Sequence, residues 1–324
     1  MKARSSSDPS LVKPSAAAGG GIGTLAVYLL LALTWGSSFL LMKIGLEGFA
    51  PAYVAFGRLL IGALTLWLLM VLSGRRWPRD PRFWGHLAVV AVLLCAVPFQ
   101  LFAWAGQYLP SGLSAVLNAT TPIWTAVFVA VFTASDRLTP AKILGVLVGA
   151  VGVAVVMGVW RVFGDPAFLS SLPAQLACLG ATACYGLSFV WMKRFVVGQH
   201  SYDAVTVASV QVVLAAAISA AMMPLLGGGL LRPTVGSVIS LLLLGALGTG
   251  IAYVWNTRVL MTWGPLAASS VTYLTPLVGV VLGMLVLGEQ PGWYMLVGTV
   301  IVIVGVMLVQ GVLRLPAARG RVNG

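Results

Sequence analysis

The sequence predicts an all-α membrane protein: ten transmembrane helices arranged as two inverted five-helix repeats. Three observations carry that fold class. Of the 324 residues, 60% are hydrophobic and only 8% charged, whereas a soluble domain carries roughly 25% charged residues. Apolar runs of about 20 residues, the length that crosses a bilayer, recur ten times. One phrase is written twice, WGSSFLLMK at Trp35–Lys43 and YGLSFVWMK at Tyr185–Lys193, 150 residues apart.

The composition also excludes other classes. At a mean hydropathy of +1.01, a water-soluble chain would expose apolar patches far beyond the usual size. The net charge of +12 would suit nucleic acid only if Lys and Arg clustered on a folded soluble surface. Here they lie mostly in short gaps between apolar runs, so the expected partner is the lipid bilayer and not nucleic acid. Cys95, Cys178 and Cys184 fall inside apolar runs, and His86 and His200 are far apart. The cysteines read as small buried side chains, and no metal or cofactor is expected.

Taken in order, residues 1–23 are polar, then rich in Ser, Ala and Gly, and read as a disordered cytoplasmic tail. Ala16-Ala17-Ala18 precedes the first apolar run, so it does not mark a cleaved signal peptide. The spans are placed at 24–42, 51–72, 84–104, 111–132 and 142–160, then 172–192, 203–223, 235–256, 265–287 and 292–313. Turn-formers fill the connections: Pro78 and Pro81, Pro110-Ser111-Gly112, Gly227-Gly228-Gly229 and Gly264-Pro265. The first repeat takes 24–160 and the second 161–313, leaving 314–324 as a second tail. With a cytoplasmic N-terminus, 15 basic residues fall inside and only Lys43, Arg161 and Arg232 outside. That is the positive-inside pattern, and it puts both termini in the cytoplasm.

The repeat extends beyond the phrase. Thr121-Pro122 matches Thr275-Pro276 at an offset of 154, and Asp136 matches Glu289 at 153. Gly145 and Gly152 match Gly298 and Gly305, also at 153. Five helices per unit is an odd number, so the second copy must sit upside down. Secondary transporters commonly use such inverted repeats, with a substrate site near the midplane.

Across about residues 24–313, the twin phrase, an Arg in the second helix and an acid after the fourth helix of each repeat resemble the EamA-type proteins of the drug/metabolite transporter superfamily. The resemblance implies export or exchange of small metabolites such as amino acids. It also implies a central cavity built mainly by the first four helices of each repeat. The chain departs from the family pattern at Ser135-Asp136, where the second repeat has the more typical Gly288-Glu289.

Candidate functional residues are the polar ones that hydrocarbon should exclude. Arg58 is the charged residue well inside a span, and all seven acids lie in tails, loops or helix ends. Arg58 either lines a cavity and attracts a substrate carboxylate, or snorkels to the interface and bonds carbonyls. Without a deep Asp, Glu or His as proton relay, a facilitator or exchanger is expected, or coupling through a loop-end acid. Ser114, Asn118, Thr121 and Thr125 share one face of the fourth helix. Ala268, Thr272, Thr275 and Gly279 are their counterparts. These stripes face either a cavity or a tight helix contact. Pro122 and Pro276 are gating candidates, since proline can kink a helix, although it is ordinary in membrane helices. The third helix offers Gln100, Trp104 and Gln107, and the eighth Tyr253 and Asn256. Trp35 with Ser38 and Tyr185 with Ser188 come from the twin phrase, and Gln211 aligns roughly with Arg58. Lys43 and Lys193 end their helices, where a cation complements the macrodipole.

The sequence thus reads as a multi-pass transporter of the bacterial inner membrane. It is expected to export small organic metabolites such as amino acids by alternating access. An enzyme would need clustered His, Asp or Glu near an interface, and a scaffold or receptor, the competing reading, would have no large loop for docking. The oligomeric state stays open, with a monomer sufficient.

Overall fold

A computed structural model describes residues 18–132, 139–163, 165–229, 231–309 and 311–313. Most of both expected tails, and Asp136 with Arg137, lie outside the described residues. The first repeat contains α1 (Ala18–Gly45), α2 (Pro51–Leu72), α3 (Pro81–Ala105), α4 (Ser111–Phe132) and α5 (Pro140–Met157). The second contains α6 (Pro166–Phe195), α7 (Ala204–Leu226), α8 (Val235–Trp263), α9 (265–287) and α10 (Trp293–Val309). Among the described residues, nine helices are long and apolar enough to span a bilayer. The tenth, α10, is an apolar helix of 17 residues, the lower edge of the spanning range of about 17–25.

Local chemistry sets the helix starts. Proline stands in the first turn of α2, α3, α5, α6 and α9, where its missing N–H costs nothing. Asp80, Asp165 and Asp203 cap α3, α6 and α7 by accepting from the backbone of Arg82, Ala167 and Thr206. Asp203 also pairs with Arg75 at 2.6 Å, tying the two repeats at that face. Burial pushes its carboxyl up, but the bonds from Thr206 and Arg75 outweigh that and hold it below the usual range. Gly158 ends α5 in the left-handed region at φ 69°.

Equivalent helices of the two repeats run in opposite directions. Between α4 and α9, Asn118 meets Thr275, Gly112 faces Val280 and Ser111 faces Gly283. Between α5 and α10, Gly145 faces Val309, Gly152 faces Val302 and Val156 faces Gly298. In each pair the numbers rise on one helix as they fall on the other, which is the signature of inversion. The α5–α10 seam brings the backbones together: a Cβ added at Gly145, Gly152 or Gly298 would sit 2.6 Å from a partner backbone atom. Without hydrophobic drive between helices in lipid, such close approach supplies the packing energy.

The twin phrase is explained in the same way. A Cβ on Gly36 would lie 2.5 Å from Val278 Cβ on α9, and one on Gly186 would lie 2.7 Å from Thr125 N on α4. Each glycine lets the first helix of its repeat press on the fourth helix of the other. Large apolar side chains such as Leu64, Trp67, Leu147, Leu285 and Val300 stay exposed on the outside, the surface a membrane protein turns to lipid. Two π-helical turns, Val92–Ala96 in α3 and Ala246–Ile251 in α8, lie at equivalent positions of the repeats.

Candidate functional site

A central cavity with about 560 Å³ of empty volume lies between the repeats. The described residues of α1, α2, α3, α4, α6, α8 and α9 line it; α5 and α10 contribute none. Its narrow interior has room for only about three to five waters. A metabolite needs the walls to move.

Arg58, on α2, is only 7% exposed and sits in the cavity wall. Its Nε donates to Thr249 Oγ1 at 3.1 Å, and Thr249 passes the bond on to the Leu244 carbonyl. Its guanidinium carbon stands 3.6 Å from the centroid of the Phe99 ring, a cation–π contact that desolvation strengthens. Among the described residues no carboxylate pairs with it, and neither terminal nitrogen has a hydrogen-bond partner. The side chain is nevertheless buried and does not reach for the interface.

Rings form most of the remaining wall. Trp35 meets Tyr253 edge-on at 5.9 Å, Phe39 meets Phe102 edge-on at 5.4 Å, and Phe102 stacks on Tyr185 at 6.0 Å. Trp35 Nε1 donates to the Gly248 carbonyl at 3.2 Å, and the Tyr253 hydroxyl to the Leu94 carbonyl at 2.8 Å. These two acceptors lie at equivalent places in the two π turns, so each repeat holds one ring of the other in register. The hydroxyls of Ser38, Thr121 and Thr272 donate to carbonyls of Thr34, Asn118 and Ser269.

Of the sequence candidates, Trp35, Ser38, Arg58, Asn118, Thr121, Tyr185, Tyr253 and Thr272 come together at this cavity. The others sit elsewhere. Gln100 donates to Ser219 at 3.4 Å and, with the half-exposed Trp104, lines a lateral cleft bordered by Met222 and Leu226. Ser188 is buried and bonds the Tyr185 carbonyl. Gln211 is buried and donates to Cys95 Sγ at 3.3 Å. Asn256 is buried, and its amide has no hydrogen-bond partner among the described residues. Pro122 and Pro276 do not kink continuous helices. They open the segments Thr121–Phe132 and Thr275–Leu287 after a break in each helix.

Sequence reasoning missed Phe39, Met42, Leu94, Phe99, Phe102 and Phe189. Phe39 and Phe189 were within reach, since both belong to the twin phrase at the same spacing. Phe99 and Phe102 were not, because the π turn inserts an extra residue and shifts the face of α3 that follows it.

At one end of the molecule two charged side chains tie helix ends together. Lys43 Nζ donates to the carbonyls of Gly106 and Leu109, at 2.7 and 2.9 Å, beyond the end of α3. It thus serves the terminus of another helix, not its own. Glu289 accepts from the backbone of Ser111 and Gly112 at 2.7 and 3.1 Å, so a carboxylate of the second repeat caps α4 of the first. Lys193, the counterpart of Lys43, is exposed.

Known proteins agree with this architecture. The EamA-like transporter family matches residues 22–158 and again 172–310. The "Uncharacterized transporter YdfC" of Bacillus subtilis is 26% identical over 272 residues, 84% of this chain and 86% of that protein. The "Probable terminal-alkyne amino-acid exporter" of Streptantibioticus cattleyicolor is 26% identical over 281 residues, 87% of this chain and 91% of that one. The "Uncharacterized inner membrane transporter YedA" of Escherichia coli K12 is 26% identical over 261 residues, 79% of this chain and 80% of that protein. A solved crystal structure shares the fold at a TM-score of 0.65 and 19% identity, covering 90% of this chain and 98% of that one. With two family-matched repeats around one central cavity, the chain is a multi-pass membrane transporter and belongs to the EamA-like transporter family.

Proposed function

We propose that the protein exports small amphipathic organic metabolites that carry a carboxylate, amino acids among them, across a bacterial inner membrane. Both termini face the cytoplasm, and the inverted repeats give alternating access to the central cavity. The observation that carries this reading is Arg58: a buried guanidinium with no carboxylate partner among the described residues, held by Thr249 and Phe99 and facing an aromatic cavity. A bound carboxylate would complete its hydrogen bonds, while the rings receive the apolar part of the same molecule. A relative described as a probable terminal-alkyne amino-acid exporter supports the substrate class.

The test is counterflow in proteoliposomes with a panel of labelled amino acids and other carboxylates. Arg58→Gln removes a charged hydrogen-bond donor worth about 2 kcal/mol, so apparent affinity should fall about thirtyfold with folded protein retained. Undiminished counterflow by the variant rules the reading out.

A further inference from the structure

We propose that the favoured substrate is a net monoanion, an apolar or ring-bearing carboxylate without a free ammonium, and that the membrane potential drives its export. The proposal rests on the reading of Arg58 as the partner of the carboxylate. It follows from a charge count.

The Arg58 charge is permanent. Among the described residues no acidic side chain lines the cavity. Asp80, Asp165 and Asp203 cap helices, Glu289 is spent on the α4 terminus, and Glu47 is exposed in a loop. Asp8 and Asp136 lie outside the apolar spans. The cavity groups able to accept from an ammonium are neutral: the Asn118 amide oxygen and a few hydroxyls. A zwitterion would have its carboxylate matched, but its ammonium would find only ring faces and neutral hydroxyls, with no counter-charge and the Arg58 cation in the same cavity. An acid whose nitrogen is acylated or absent leaves no charge unpaired.

The same count fixes the electrical work of a cycle. In the loaded site the guanidinium and the carboxylate cancel, so reorientation moves no net charge. In the empty site the single positive charge of Arg58 makes the return journey inward. Each cycle therefore carries one negative charge out of the cell. An inside-negative potential pulls the empty site back and accumulates the acid outside, by about tenfold for each 59 mV. No carboxylate or histidine relay within the spans is required.

The experiment uses the full-length protein in proteoliposomes, with labelled N-acetylphenylalanine and phenylalanine as probes. Potassium gradients and valinomycin set the potential. N-acetylphenylalanine should exchange about tenfold faster than phenylalanine, or more. Its steady-state outside-to-inside ratio should climb about tenfold per 59 mV of inside-negative potential. Arg58→Gln should lose transport of the acid, and Arg58→Lys, which keeps the charge, should retain the dependence on potential. Equal or faster movement of phenylalanine, a ratio indifferent to potential, or movement of neither probe overturns the proposal. Phenylalanine exchange that needs Arg58 but ignores potential would do so while leaving the proposed function standing; transport indifferent to Arg58 removes both.

Discussion

Arg58 shows what a single residue can and cannot reveal in a sequence. Its isolation from every acid was legible, because charges in an apolar run are few and their spacing can be read. Its supports were not. Thr249 is 191 positions away, and Phe99 reaches it only because a π turn re-aims α3. The same turn explains why Gln100 and Trp104, an obvious polar-aromatic face by helical spacing, border the lateral cleft. The Thr249 contact makes a residue-scale prediction. Thr249→Val removes the acceptor for Nε and should cost about 1 kcal/mol of carboxylate binding, seen as about a fivefold rise in apparent KM. Thr249→Ser keeps the hydroxyl and should behave as the parent. Indistinguishable Val and Ser variants would mean that the bond does not hold the guanidinium in its working position.

For the helices, apolar run length located every span, and the offsets among Gly145, Gly152, Gly298 and Gly305 marked the repeat before any packing was visible. The use of those glycines was less legible, because small residues serve cavities and helix contacts alike. The structure assigns them to contact: α5 and α10 touch backbone to backbone and stay off the cavity. Helix breaks were less legible still. Pro122 and Pro276 could bend a helix or start one, and in the structure each stands in the first turn of a new helical segment, since proline suits a first turn as well as a bend. The seam predicts that Gly152→Ile destabilises the protein by about 3 kcal/mol or more through overpacking. A thermal melt in detergent should show a clear fall in Tm. Leu147→Ala, on the exposed flank of the same helix, should melt within about 0.5 kcal/mol of the parent. Matching melts for the two variants would contradict the tight seam.

For the whole molecule, an odd helix count in the sequence and antiparallel equivalent helices in the structure describe one fact, an inverted pair. The cavity between the copies is nevertheless unequal: α2 contributes Arg58, whereas Gln211, at the corresponding place on α7, is buried against Cys95 outside it. Inversion has a direct readout. In a background with Cys95, Cys178 and Cys184 replaced by alanine, Arg76→Cys should react with an impermeant maleimide only from the cytoplasmic side. Gly228→Cys, in a loop with open space around it, should react only from the opposite side. Labelling of both from one side would break the topology. The glycine contacts also bear on how this protein tolerates change. Alanine is usually the gentlest probe of a position, but at Gly36, Gly145, Gly152, Gly186 and Gly298 one added methyl meets another helix. In a mutational scan, the harshest results should therefore come from the smallest side chains in the molecule, and the bulky leucines of its rim should be the most forgiving.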